Sequence, residues 1–148
     1  MREGVVAAHR HLVRGVYGGV VRRTTIPADR VAIIVRGGSG HYPAFAGVVG
    51  PGLAHGAAMG TVVASPSAQQ IYNVCKSAAG ESGALLSYGN YAGDVMNFNQ
   101  AQEKLNSEGS PCRTVVVTDD IMSAPQSDIA NRRGIAGDLT SENWAARS

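Results

Sequence analysis

The sequence predicts an α/β fold, a mostly parallel sheet with helices on both faces, and three observations carry that expectation. Apolar runs rich in β-branched residues recur along the chain, in VAIIV (31–35), TVVAS (61–65), ALLSY (84–88) and RTVVV (113–117). Amphipathic stretches with start and stop signals stand between several of them, in units of about thirty residues, as the crossovers of parallel strands require. The run at 31–35 is apolar at every position, which suits a central strand covered on both sides. Its 148 residues fit one domain.

From the N-terminus, Val5, Ala8, His9, Leu12, Val13 and Val16 fall at helical spacing, with Gly15 and the YGG that follows as a stop. GVVRR (19–23) reads as a strand, and Pro27 and Asp29 mark a turn into the strand at 31–35. AFAGVVG (44–50) and LAHGAAMG (53–60) read as short helical turns broken by Gly50, Pro51 and Gly52, with TVVAS as the next strand. In SPSAQQIYNVCKSAAG (65–80), Ser65 is the expected cap and Pro66 takes the first helical position, where its missing N–H does no harm. Ile71, Val74, Cys75 and Ala78 then share one face, and Gly80 closes the helix. After ALLSY and the loop GNYAGD comes a helix with Asp94 as candidate cap, Phe98, Ala101 and Leu105 inward, and Gly109 as stop. RTVVVTDD (113–120) is the last strand.

Composition narrows the function. The net charge of +2, with arginines spread through the N-terminal quarter, gives nucleic-acid or membrane binding little electrostatic support. No apolar run approaches the roughly 20 residues of a spanning helix, and MREGVVAAHRHLVRG places histidines and arginines where a signal peptide needs an apolar core. A cytoplasmic location is the expectation. It suits Cys75 and Cys112, which stand far apart without CxxC spacing and read as small buried hydrophobes.

The chemistry concentrates in RGGSGHYPAF (36–45), directly after the strand at 31–35. A Walker loop would need Lys-Ser/Thr after its glycines and meets His41 and Tyr42. A dinucleotide fingerprint would need a small residue at Pro43, and a nucleophile elbow on Ser39 would need glycine at His41. What remains is a strand end, a flexible backbone and one imidazole. Loops after the carboxyl ends of strands line the ligand crevice of an α/β sheet, and their N–H groups can donate to a small polar ligand. SYGNYAGDVMNF (87–98) leaves a second strand in the same way and carries Asn90, Tyr91, Asp94 and Asn97. Asp94 reads as a helix cap or, if it faces His41, as the carboxylate of a pair that removes and returns a hydroxyl proton. His9 and His11, two apart on a helix, cannot share a metal, and His55 reads as structural.

Five stretches in order, GGSGHYPAFAGVVGPGL (37–53), ASPSAQQI (64–71), NYAGDVMNF (90–98), VVVTDDI (115–121) and NRRGIAG (131–137), resemble the N-terminal portion of the substrate-binding module of the dihydroxyacetone kinase family, which includes erythrulose kinases. The resemblance makes residues 1–139 part of a ketose-binding domain and sets 140–148 apart as a tail of the kind a truncation or frameshift leaves. It implies a small ketose bound by Gly38, Ser39 and Gly40 as backbone donors, with His41 and Asp94 as catalytic groups that also bind the substrate. The donor it implies is ATP with magnesium on a separate kinase module, or a phosphoprotein of a phosphotransferase system, and the chain itself carries no cofactor. A homodimer is expected. The family's covalent hemiaminal forms on a histidine well downstream of NRRGIAG, so the chain is expected to be inactive alone; a ketose-binding regulator of the same family is the alternative. Tyr42 stands where many members have glutamate, pointing to a different sugar such as a four-carbon ketose, and Gly89 stands where lysine is common, which removes a side-chain contact. Asp119 and Asp120 read as loop or interface structure, since a hard cation wants more converging oxygens than one pair supplies; no metal site is expected.

Overall fold

The computed structural model describes residues 1–138. Its axis is β3 (Ala32–Gly38), buried at all seven positions. Two parallel neighbours flank it, β4 (Gly56–Gly60) and β5 (Ala84–Gly89). β6 (Cys112–Val117) extends the parallel set beyond β5, while the hairpin of β1 (Val13–Val16) and β2 (Gly19–Arg22) joins antiparallel beyond β4. The order is β1-β2-β4-β3-β5-β6, an α/β sheet that is mostly parallel, as the sequence predicts.

Alternation along β3 assigns the two faces. Ala32 and Ile34 point to the layer of α2 (Ala68–Ala78) and α3 (Ala92–Ser107), where Ile71, Val74, Cys75, Phe98, Ala101 and Leu105 complete the larger core. Ile33 and Val35 point the other way, beneath Val5 of α1 (Arg2–Ala8) and beneath Ala46, Val49 and Ala54. Cys75 and Cys112 are free and buried, in keeping with their reading as small hydrophobes. Among the described residues no helix is long and apolar enough to cross a membrane.

Several local expectations are corrected. The first helix ends at Ala8, and Val13 and Val16 belong to β1, paired with Arg22 and Gly19 of β2. The strand near residue 60 is GAAMG, read as a helical turn, whereas 61–65 is an exposed turn with Val62 64% and Val63 86% accessible. Pairing with β2 and β3 makes a strand of small residues that have no strand propensity of their own. At α2 the cap is Ser67, in a capping box with Gln70, so Pro66 precedes the helix and Ser65 is released for another role. Residue 91, not Asp94, is the N-cap of α3; Asp94 lies in its first turn. Residues 139–148, including the tail set apart at 140–148, lie outside the described residues.

His55 bears out its structural reading. Its Nδ1 accepts the Ile33 N–H at 3.0 Å, and burial, with Arg22 and Arg30 nearby, pushes its pKa down to about 4. Because the folded value lies below the unfolded one, the contribution is full above about pH 6.5 and is lost as pH falls toward 4. A shift of that size is on the order of 3 kcal/mol. Urea unfolding followed from pH 7 to pH 4 should therefore lose stability in the unaltered chain and lose clearly less in His55→Gln.

Candidate functional site

The parallel strands β3 and β5 end side by side, and each releases its chain into a loop at that end. The β3 loop turns at once into a short 3₁₀ turn, Ser39–His41. The His41 ring is exposed, with Nδ1 3.2 Å from the Gly38 carbonyl and an edge-on, T-shaped contact with Phe45, centroids 5.9 Å apart. Phe45 holds φ 65°, ψ −67°, the positive-φ γ-turn, closed by the Ala46 N–H on Ala44 O at 3.1 Å. Such a conformation is costly for a non-glycine residue and is found where the surroundings over-determine it. Here Phe45 lies so close over Gly37 that a Cβ there would come 2.0 Å from its ring. That contact gives a reason for glycine at position 37: β3 must leave room for the aromatic side chain that braces His41.

The β5 loop enters α3, whose first turn presents Asp94, 4% exposed. Asp94 Oδ2 pairs with Arg36 Nη2 at 2.5 Å, and the same nitrogen donates to the Gly89 carbonyl at 2.9 Å. Burial raises the Asp94 pKa; the nearby Ser65 hydroxyl and the Arg36 guanidinium pull it back toward the charged form. In the structure that hydroxyl donates to Pro66 O at 3.1 Å. Tyr91 donates to Gly134 O at 3.0 Å, and Asn90 Nδ2 donates to Ala130 O and Arg132 O at 3.0 and 2.8 Å, so the same loop grips the 130–134 segment.

These elements enclose a hollow of about 640 Å³. Gly38, His41 and Asp94 all line it, together with Arg36, Phe45, Ser65, Tyr91 and Asp138. Both strand-tip loops thus contribute to one space of the size of small-molecule sites. Ser39 and Gly40 are placed elsewhere: neither lines the hollow, and the Gly40 N–H donates to Val62 O at 2.8 Å. Tyr42, 45% exposed, is also outside the lining.

Sequence reasoning missed Arg36, Ser65 and Asp138. Arg36 is the one charge inside an apolar and glycine run, a signal that could have been weighed. Asp138 is buried, and burial, against the pull of Arg36, pushes its pKa up to about 6. It stands against Gly89, where a Cβ would meet its Oδ2 at 2.8 Å. Nothing local in the sequence brings residue 138 to residue 89. Asp119 is loop structure, as expected: burial opposes ionisation, but N–H bonds from Ile135 (2.8 Å) and Gly137 (2.7 Å) hold its carboxyl below the usual range.

Comparison with known proteins identifies the family. A family model described as the Dak1 domain matches residues 3–147. The chain is 61% identical over 139 residues to an L-erythrulose kinase of Pectobacterium atrosepticum, covering 94% of this chain and 24% of that protein. It is 47% identical over 120 residues to the dihydroxyacetone-binding subunit of a PTS-dependent dihydroxyacetone kinase of Listeria innocua, covering 81% of this chain and 36% of that protein. Among solved structures, the dihydroxyacetone kinase of C. freundii superposes with a TM-score of 0.84 at 34% identity, over 98% of this chain and 28% of that one. The chain therefore spans about a quarter to a third of the length of these relatives. With its ordered motifs, its fold and the match over 3–147 in agreement, the chain belongs to the Dak1-domain family of dihydroxyacetone and erythrulose kinases.

Proposed function

We propose that this chain is the ketose-binding part of a dihydroxyacetone or erythrulose kinase, presenting a terminal hydroxyl of a three- or four-carbon ketose for phosphorylation. The observation that supports it is the hollow shared by His41 and Asp94 at the tips of β3 and β5. A hydroxyl between an imidazole and a carboxylate can hydrogen-bond to both and lose its proton to one of them as it attacks. In this reading His41 and Asp94 are the catalytic groups, and Gly38 forms the floor beside them. The names of the Pectobacterium and Listeria relatives supply the substrate class, and the first of them favours erythrulose.

Phosphoryl transfer depends mostly on positioning and charge stabilisation around the transferred group. The donor in this proposal is ATP with magnesium on a separate module, or a phosphoprotein. Among the described residues no group of three or more His, Cys, Asp or Glu side chains could hold a metal ion. In this reading this chain's part is confined to the acceptor hydroxyl. A cytoplasmic location and a homodimer complete the proposal.

Titration calorimetry of the chain with L-erythrulose and with dihydroxyacetone tests the reading. Binding of at least one ketose is expected, weakened about 10-fold in His41→Ala, as loss of a hydrogen bond of roughly 1–1.5 kcal/mol would give. Absence of heat with both sugars, or an affinity indifferent to His41, rejects it.

A further inference from the structure

Arg36 is 7% exposed, and a buried guanidinium is tolerated only where its charge is matched and its donors are used. Here one nitrogen, Nη2, reaches Asp94 Oδ2 and the Gly89 carbonyl together, joining the end of β3 to the end of β5 and to the first turn of α3. The guanidinium carbon lies 5.5 Å from the Tyr88 ring and 5.9 Å from the Tyr91 ring. Asp94 Oδ1, by contrast, is buried without a hydrogen bond among the described residues, as is Arg36 Nε, while the Ser65 hydroxyl lies close enough to the carboxylate to favour its charged form. A second carboxylate, Asp138, lines the same hollow beside Gly89. Two carboxylates in one low-dielectric space hold their charges together only when a cation stands with them.

We infer that Arg36 is the positioning residue of this site: its guanidinium fixes the Asp94 carboxylate to the tips of β3 and β5 and supplies the cation that stands with Asp94 and Asp138 in the wall of the hollow. That the Asp94 carboxylate serves a ketose hydroxyl rests on the proposed function; the hold of Arg36 on Asp94 does not. The groups facing Asp94 are Arg36 from β3, Tyr88 from β5, Tyr91 at the start of α3, Ser65 from the turn before α2, and Asp138.

The test is a ¹³C NMR titration of the Asp94 carboxyl in the unaltered chain, in Arg36→Met and in Arg36→Lys, beside ketose calorimetry on the same samples. Losing an opposite charge at this distance should raise the Asp94 midpoint by about 1–3 pH units in Arg36→Met. Arg36→Lys, which keeps the charge without the fork, should return the midpoint toward that of the unaltered chain. Ketose affinity should fall in Arg36→Met. An Asp94 midpoint unmoved in folded Arg36→Met overturns the inference, as does undiminished ketose affinity in a chain that binds ketose. Should Arg36→Met fail to fold, the Arg36 side-chain ¹⁵N resonances of the unaltered chain decide: they must titrate with Asp94, and independence overturns the inference. If the unaltered chain binds neither sugar, the functional reading fails and the midpoints alone judge Arg36.

Discussion

Asp94→Ala is expected to remove about 3–5 kcal/mol of folding stability, because it leaves the Arg36 guanidinium buried without its carboxylate. That is a large share of the 5–15 kcal/mol that holds a domain of this size folded. Ketose affinity should vanish with it, since the same side chain lines the hollow. Urea denaturation of Asp94→Ala and of the double variant Arg36→Met/Asp94→Ala separates the sources of the loss. When both members of the pair are gone neither charge is left buried without the other, and although the Gly89 carbonyl loses its donor the double variant should regain part of the stability. If it is no more stable than Asp94→Ala, the buried cation is not the cause and the energetic account of the pair is wrong.

Phe98→Ala should cost a similar amount, about 3–5 kcal/mol, for a different reason. Phe98 is fully buried, its ring centroid 4.3 Å from that of Tyr88, in the layer between α3 and the sheet. Truncation opens a cavity that the packed sheet cannot close, so the loss combines transfer free energy with the contacts missing around the void. Phe98 also follows Asp94 by one helical turn on the same face of α3, and Tyr88 lies under Arg36. Burial pushes the Tyr88 pKa up to about 12, so water admitted by the cavity should bring it down in an ultraviolet titration. Phe98→Leu, which fills more of the space, should cost less in both readouts. An unchanged urea midpoint in Phe98→Ala would show that α3 is not held by this contact.

The two helices that carry Cys75 and Phe98 were legible because their signals are local: apolar residues at helical spacing and Gly109 at a stop, where φ is 76°. The strands read at 31–35, 84–88 and 113–117 were legible from their apolar runs, but β3 continues through Arg36, Gly37 and Gly38, read as loop, because pairing with β4 carries it on. What failed were segments whose local preference is weak and whose partners are distant. GAAMG has no strand propensity and becomes β4 because β2 and β3 offer hydrogen bonds on both sides. TVVAS has that propensity and remains an exposed turn because no strand is available beside it.

The candidate site divides along the same line. His41 and Asp94 could be singled out from the sequence, since glycine-rich loops after apolar strands are local patterns and α/β sheets collect such loops at one edge. The sequence alone thus determined the fold class, the family resemblance and which two loops matter. Only the tertiary structure decided that Ser39 and Gly40 stand outside the hollow, that Arg36 holds Asp94, and that Asp138 closes against Gly89. The physical reason is range: helical periodicity and turn chemistry act within a few residues, whereas a buried charge finds its partner through strand order and packing across more than fifty.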